Sequence, residues 1–136
     1  MPCVTTMFEG DAESWSLLRD TRRVDQVQVD FRLSLVLDDG TLVVVESPFV
    51  ATMDGVRISV TPETLEGVGN ALVVLHRDLS DLRAFRWDGL RIALADGGLL
   101  EVPPGDAYES WQVILPDGSQ FIGLPGGAVG TFPARE

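Results

Sequence analysis

The chain has 136 residues, 45% of them hydrophobic, and sets 21 acidic against 10 basic residues for a net charge of −11. That length suits one domain able to bury roughly two thirds of the surface its unfolded form exposes. A field this negative repels phosphate backbones and anionic lipid, so neither nucleic acid nor a membrane is an expected partner. All ten basic residues are arginine, which excludes a lysine-bearing phosphate loop.

The first residues lack the basic-then-apolar pattern of a secretory signal, and no apolar run approaches the roughly 20 residues that span a bilayer. A cytoplasmic address is therefore expected. Cys3 is the single cysteine, so no internal disulfide is possible and a cysteine-based zinc site has no basis.

In chain order, the first strong pattern is Val27, Val29, Phe31, Leu33, Leu35 and Leu37 at a spacing of two. It predicts one long strand with these side chains on the packed face and Gln28, Asp30, Arg32 and Ser34 on the wet one. Asp39-Gly40 then predicts a type I′ turn, because both residues tolerate positive φ. Leu42 to Val45 returns with consecutive apolar residues, the mark of a strand buried on both faces. Pro48 ends that run, and Asp54-Gly55 reads as another turn.

Thr61-Pro62 supplies a helix N-cap and first residue, followed by Leu65, Val68, Leu72 and Leu75 at helical spacing. The expected helix runs from about Pro62 to Arg77, with Gly67 and Gly69 each costing it roughly 1 kcal/mol relative to alanine. His76, at its end, is expected to cap it or lie on the surface, where an imidazolium meets the negative end of the helix dipole.

Beyond the helix the earlier pattern returns. LLRDTRRVDQVQVD from Leu17 lies on LHRDLSDLRAFRWD from Leu75 at an offset of 58 without a gap. After one deleted residue, Leu33, Leu35 and Leu37 lie on Leu90, Ile92 and Leu94 at an offset of 57. Phe85 and Trp87 are thereby placed on the core face, and Asp88-Gly89 at a bulge or kink. Asp96-Gly97 and Asp117-Gly118 repeat the turn signal, each followed by an apolar run that proline stops.

The expected fold is α+β, a single domain over 1–136. Its main body is an antiparallel β-sheet built from three Asp-Gly hairpins in two repeat-like halves, about 15–48 and 73–103, with the third hairpin at about 108–124. One helix, about 62–77, packs on the sheet.

Candidate chemistry is sparse. His76 is the only histidine, which leaves no triad or histidine metal site, and Asp38-Asp39 is better explained by its turn. No carboxylate run has the spacing of a calcium loop. Gly123, Gly126, Gly127 and Gly130 read as turn punctuation after a strand. No catalytic, cofactor-binding or metal-binding residue is expected, and no enzymatic activity. The most specific segment is DAYESWQV, from Asp106 to Val113. Asp106, Tyr108, Glu109 and Trp111 form the candidate partner-binding set, since an exposed aromatic beside a carboxylate suits a binding anchor. At most one of Tyr108 and Trp111 goes into the core if both lie on one strand.

Trp15-x-Leu17, the Asp39-Gly40 turn, Glu46-Ser47-Pro48-Phe49, LRIALADGGLLEVPP, YESWQV and the final Pro-Gly-Gly together resemble a family of small actinobacterial proteins, a domain of unknown function. Its pattern has Tyr-Glu-Ala-Trp where this chain has Ser110 in place of alanine. The resemblance covers residues 15 to 132 and implies no activity, substrate or catalytic residue. Similar small acidic proteins are suspected of neutralising toxins. The expected function is therefore a non-enzymatic, acidic protein-binding module, immunity-like, that occludes a basic protein partner. The alternatives are a structural module that forms homo-oligomers through an open sheet edge, and a small-molecule binder with a helix–sheet pocket lined by Trp87, Arg91 and Trp111.

Overall fold

The computed structural model describes residues 5–9, 12–106 and 108–133; Cys3 lies outside the described residues. Its strands are β1 (Thr5–Glu9), β2 (Ala12–Ser16), β3 (Arg22–Val29), β4 (Leu33–Leu37), β5 (Leu42–Val45), β6 (Phe49–Met53) and β7 (Val56–Val60). After a short helical segment follow β8 (Asp78–Phe85), β9 (Gly89–Leu94), β10 (Leu99–Val102), β11 (Trp111–Ile114), β12 (Gln120–Gly123) and β13 (Val129–Phe132). They make one thirteen-stranded sheet in the order β13-β12-β11-β5-β4-β3-β8-β9-β10-β6-β7, with β2 beside β8 and β1 beside β2. Every pairing among the described residues is antiparallel. The architecture is an open antiparallel sheet with one short helix, consistent with α+β.

Two wings meet at a narrow junction. Most of β3 pairs with β4, but Arg22 and Arg23 pair with Leu79 and Asp78 of β8. The chain also crosses between wings, because β5 takes β11 as its second neighbour and β10 takes β6. Both wings turn apolar side chains into one core. Leu35, Val43 and Val113 from one wing share a cluster with Leu82, Ile92 and Leu100 from the other. The rings of Trp15 on β2 and Phe121 on β12 lie 6.3 Å apart, joining the wings directly. Val43, Val44 and Val45 are all buried, as consecutive apolar residues on an interior strand require.

The long strand expected through Phe31 is instead two strands. The chain reverses at Asp30-Phe31-Arg32, leaving Phe31 77% exposed rather than on the core face. The Asp30 carboxylate accepts the Arg32 backbone N–H at 2.8 Å and closes the turn. Trp87 is corrected in the same way. It occupies the β8–β9 reversal at φ 75°, 62% exposed, with Asp88 in that reversal and Gly89 opening β9 opposite Phe85. The ungapped offset of 58 is overturned by the registers. Val24 faces Leu37 and Leu79 faces Leu94, each pair followed by a register shift, so Val24 corresponds to Leu79 rather than to Leu82.

The expected type I′ geometry is also corrected at three turns. Gly40, Gly97 and Gly118 have positive φ, but Asp39, Asp96 and Asp117 do not. Instead each aspartate carboxylate accepts a backbone N–H two residues on, from Thr41, Gly98 and Ser119 at 2.9, 3.0 and 2.8 Å. These are three-residue loops with glycine in the left-handed position. Asp54-Gly55 is where both residues have positive φ.

These bonds hold two carboxyls below the ordinary carboxylate value of 3.8. For Asp96 the first cause is the Gly98 backbone N–H, aided by the Arg77 guanidinium against desolvation; for Asp117 it is the Ser119 hydroxyl, then its N–H. A folded-state pKa below the unfolded one favours the folded state above pH 3.8, and that contribution is lost as pH falls through the folded values. Melting temperature is therefore expected to drop on acidification below about pH 4, and to drop less in an Asp96→Asn, Asp117→Asn double variant. Circular-dichroism melts across a pH series read this out; both sites are exposed, so the effect per site is small.

The helix expected over 62–77 shrinks to the seven residues 68–74, an α-turn α1 (Val68–Ala71) continued by a tighter turn. Leu65 and Gly67 take left-handed φ of 67° and 73°, and the Thr61 N–H donates to the Glu66 carbonyl, folding the chain back on itself. The chain also presses on β7, for a Cβ at Gly67 would lie 2.3 Å from the Ser59 carbonyl oxygen. Val68, Ala71 and Val74 are the buried face, while Leu65, Leu72 and Leu75 are exposed. His76 does not cap the helix. It is exposed at φ 67°, with its backbone N–H on the Val24 carbonyl.

Candidate functional site

Pro103 and Pro104 end β10, since neither offers an N–H to a ladder. From there the chain crosses to β11 through a loop whose ends are tied down. Gly105 donates its N–H to the Ser110 hydroxyl at 3.3 Å and accepts the Gly126 N–H at 2.8 Å. Ser110, fully buried, donates its N–H to the Gly123 carbonyl, while its own carbonyl accepts the N–H groups of Glu46 and Ser47. Between these anchors Asp106, Tyr108 and Glu109 stand exposed, with Tyr108 49% accessible.

Trp111 departs from the set expected to bind a partner. It is 1% exposed, and its indole covers Gly123, its cross-strand partner, where a Cβ would lie 2.2 Å from the ring nitrogen. Its contribution is to seat the loop, because a large aromatic on a bare backbone packs only where glycine leaves room. The expected helix–sheet pocket is dispersed too. Trp111 is in the core, Trp87 at an exposed turn, and Arg91 on an outer sheet face.

The fold adds residues that the sequence pattern did not place near Tyr108. A shallow depression of about 420 Å³ is bounded by Tyr108, the β3–β4 turn (Asp30, Phe31, Arg32), Glu46 and Glu63. A second, of about 400 Å³, continues past Tyr108 to Glu109 and Pro125, and a third reaches Pro48, Pro103 and Asp106. Tyr108 borders all three. Five carboxylates, Asp30, Glu46, Glu63, Asp106 and Glu109, thus surround two exposed aromatic rings, with Arg32 the one cation lining these depressions among the described residues.

Arg32 is largely committed. It forms a 3.2 Å ion pair with Asp30. That hydrogen bond, with the Arg32 backbone N–H, holds the Asp30 carboxyl below its ordinary range, and Asp30 followed by Glu46 favours the charged guanidinium. What remains is a negatively charged surface made by loops and carrying exposed aromatic rings, a chemistry that attracts cations. Among the described residues no group of three or more His, Cys, Asp or Glu side chains is placed to hold a metal ion. No helix of the described residues is long and apolar enough to cross a membrane.

The surface belongs to an antiparallel β protein and is carried on segments that connect its strands. The chain is a member of a family of unknown function, DUF6188, whose profile matches residues 15–133 and so includes every residue of this surface. Neither a curated protein nor a solved structure matches it.

Proposed function

We propose that the chain is a non-enzymatic, acidic protein-binding module, working in the cytoplasm, whose Tyr108 surface docks a basic protein partner in the manner of an immunity protein. The observation that carries this reading is the convergence of exposed Tyr108 and Phe31 within a ring of five carboxylates drawn from separate segments. Aromatic anchors supply apolar area at low entropic cost, and a one-signed rim steers an oppositely charged partner to it. The scaffold beneath is two repeat-like halves, β3–β4–β5 and β8–β9–β10, each extended by a hairpin from elsewhere in the chain.

The test is recovery of the tagged chain from its native host, identification of any stoichiometric basic protein, and titration of that protein against wild type and a Tyr108→Ser, Glu109→Arg double variant. Both side chains are exposed, so folding should be unchanged by circular dichroism. Affinity should fall about thirtyfold or more, the effect of losing a hot-spot residue, and wild-type binding should weaken with salt. Equal affinity of the two chains would remove the Tyr108 surface from the interface. A homogeneous oligomer without a partner would favour self-association through the open edges β7 and β13, which carry exposed Val56 and Phe132.

A further inference from the structure

The outer face of the other wing carries a concavity of about 200 Å³ whose walls include Arg57 and Arg91. Six of the described arginines sit within ion-pair distance of a carboxylate: Arg22, Arg23, Arg32, Arg77, Arg83 and Arg86. Arg19, Arg57 and Arg91 have no such pair among the described residues, and two of these three line this one concavity. With 21 acidic residues to 10 arginines, carboxylates are plentiful, so a guanidinium without an ion pair here reflects placement rather than shortage.

Arg91 is held against an aromatic ring and makes no ion pair among the described residues. Its guanidinium carbon lies 4.8 Å from the centroid of the Phe85 ring. It stands directly opposite Glu101 in the β9–β10 register without forming an ion pair with it. A guanidinium held over a ring face keeps N–H groups available to grip a planar carboxylate through two parallel hydrogen bonds. The accessible apolar lining is half-buried Val50 and exposed Pro103, whereas Leu90 and Val102 border the concavity with side chains that belong to the core. Asp88 and Glu101 also face the concavity, and their charge disfavours a dianion such as phosphate.

We infer that this concavity is a binding site for a small monocarboxylate with an apolar body, its carboxylate held by Arg91 and Arg57 and its apolar part against Val50 and Pro103. The ligand is a free organic acid or the terminal residue of a peptide, which share this chemistry. The site is independent of the Tyr108 surface.

Nuclear magnetic resonance titration of the full chain with hexanoate, N-acetyl-Ala-Leu and the matching uncharged amides tests it. Saturable shifts at residues of β9 and β10 are expected with a carboxylate and not with its amide. Arg91→Gln and Arg57→Gln, on different strands and both exposed, should each weaken binding about tenfold or more, as loss of a charge-assisted hydrogen bond does. Binding of hexanoate alone assigns the site to free acids, and binding of the peptide alone assigns it to a chain terminus. No saturable binding of either carboxylate, equal binding of the amides, or unchanged affinity in both folded variants overturns the inference.

Discussion

Leu35→Asp is expected to leave the chain unfolded at neutral pH. Leu35 is 1% exposed on β4, between Val27 of β3 and Val43 of β5, and belongs to the core shared by both wings. Truncating such a leucine to alanine already costs about 2–5 kcal/mol through lost burial and the cavity left behind. Aspartate adds a carboxylate among apolar core side chains, where it must stay charged or take up a proton. The sum reaches the whole stability of an ordinary domain, about 5–15 kcal/mol. Far-ultraviolet circular dichroism and urea titration read the outcome; a cooperative transition at the wild-type midpoint would show that β4 is not the centre of the core.

Gly89→Ala is expected to destabilise by about 3 kcal/mol or more, through left-handed backbone strain together with overpacking. Gly89 has φ 88°, and a Cβ there would lie 1.9 Å from the Val102 carbonyl oxygen. That oxygen belongs to β10, paired with β9 from Leu99↔Ala93 to Val102↔Leu90, so relief requires breaking the ladder end. Gly40 makes the comparison decisive, since at φ 92° it has nothing within 4 Å of its Cβ position. Gly40→Ala should show the strain alone, about 1 kcal/mol, and equal urea midpoints for the two variants would refute the close approach at Gly89.

Strand positions were legible because alternation and apolar runs are local, but their continuity was not. Val29 and Leu33 are cross-strand partners, so the spacing of two survives a three-residue reversal unchanged, and Asp30-Phe31-Arg32 has no glycine to announce it. The same ambiguity hid Phe31 from the candidate site. The helix was over-extended for a different reason. Leu65, Val68, Leu72 and Leu75 fit a helical period, yet left-handed Leu65 and Gly67 and the contact with β7 override it. Within the candidate site, the exposure of Asp106, Tyr108 and Glu109 accords with their place after a Pro-Pro-Gly break, whereas the burial of Trp111 depended on Gly123, twelve residues away.

By itself, then, the amino-acid order specified the antiparallel β character, most of the turn positions and much of the buried set, because apolar alternation, Asp-Gly and proline act on their immediate neighbours. Only tertiary structure decided that β5 pairs with β11, that β10 pairs with β6, and that Phe31, Glu46 and Glu63 meet Tyr108. Strand partnership is made by backbone N–H and carbonyl groups that are the same at every residue, so side-chain pattern states which face a residue takes and not which edge its strand will join.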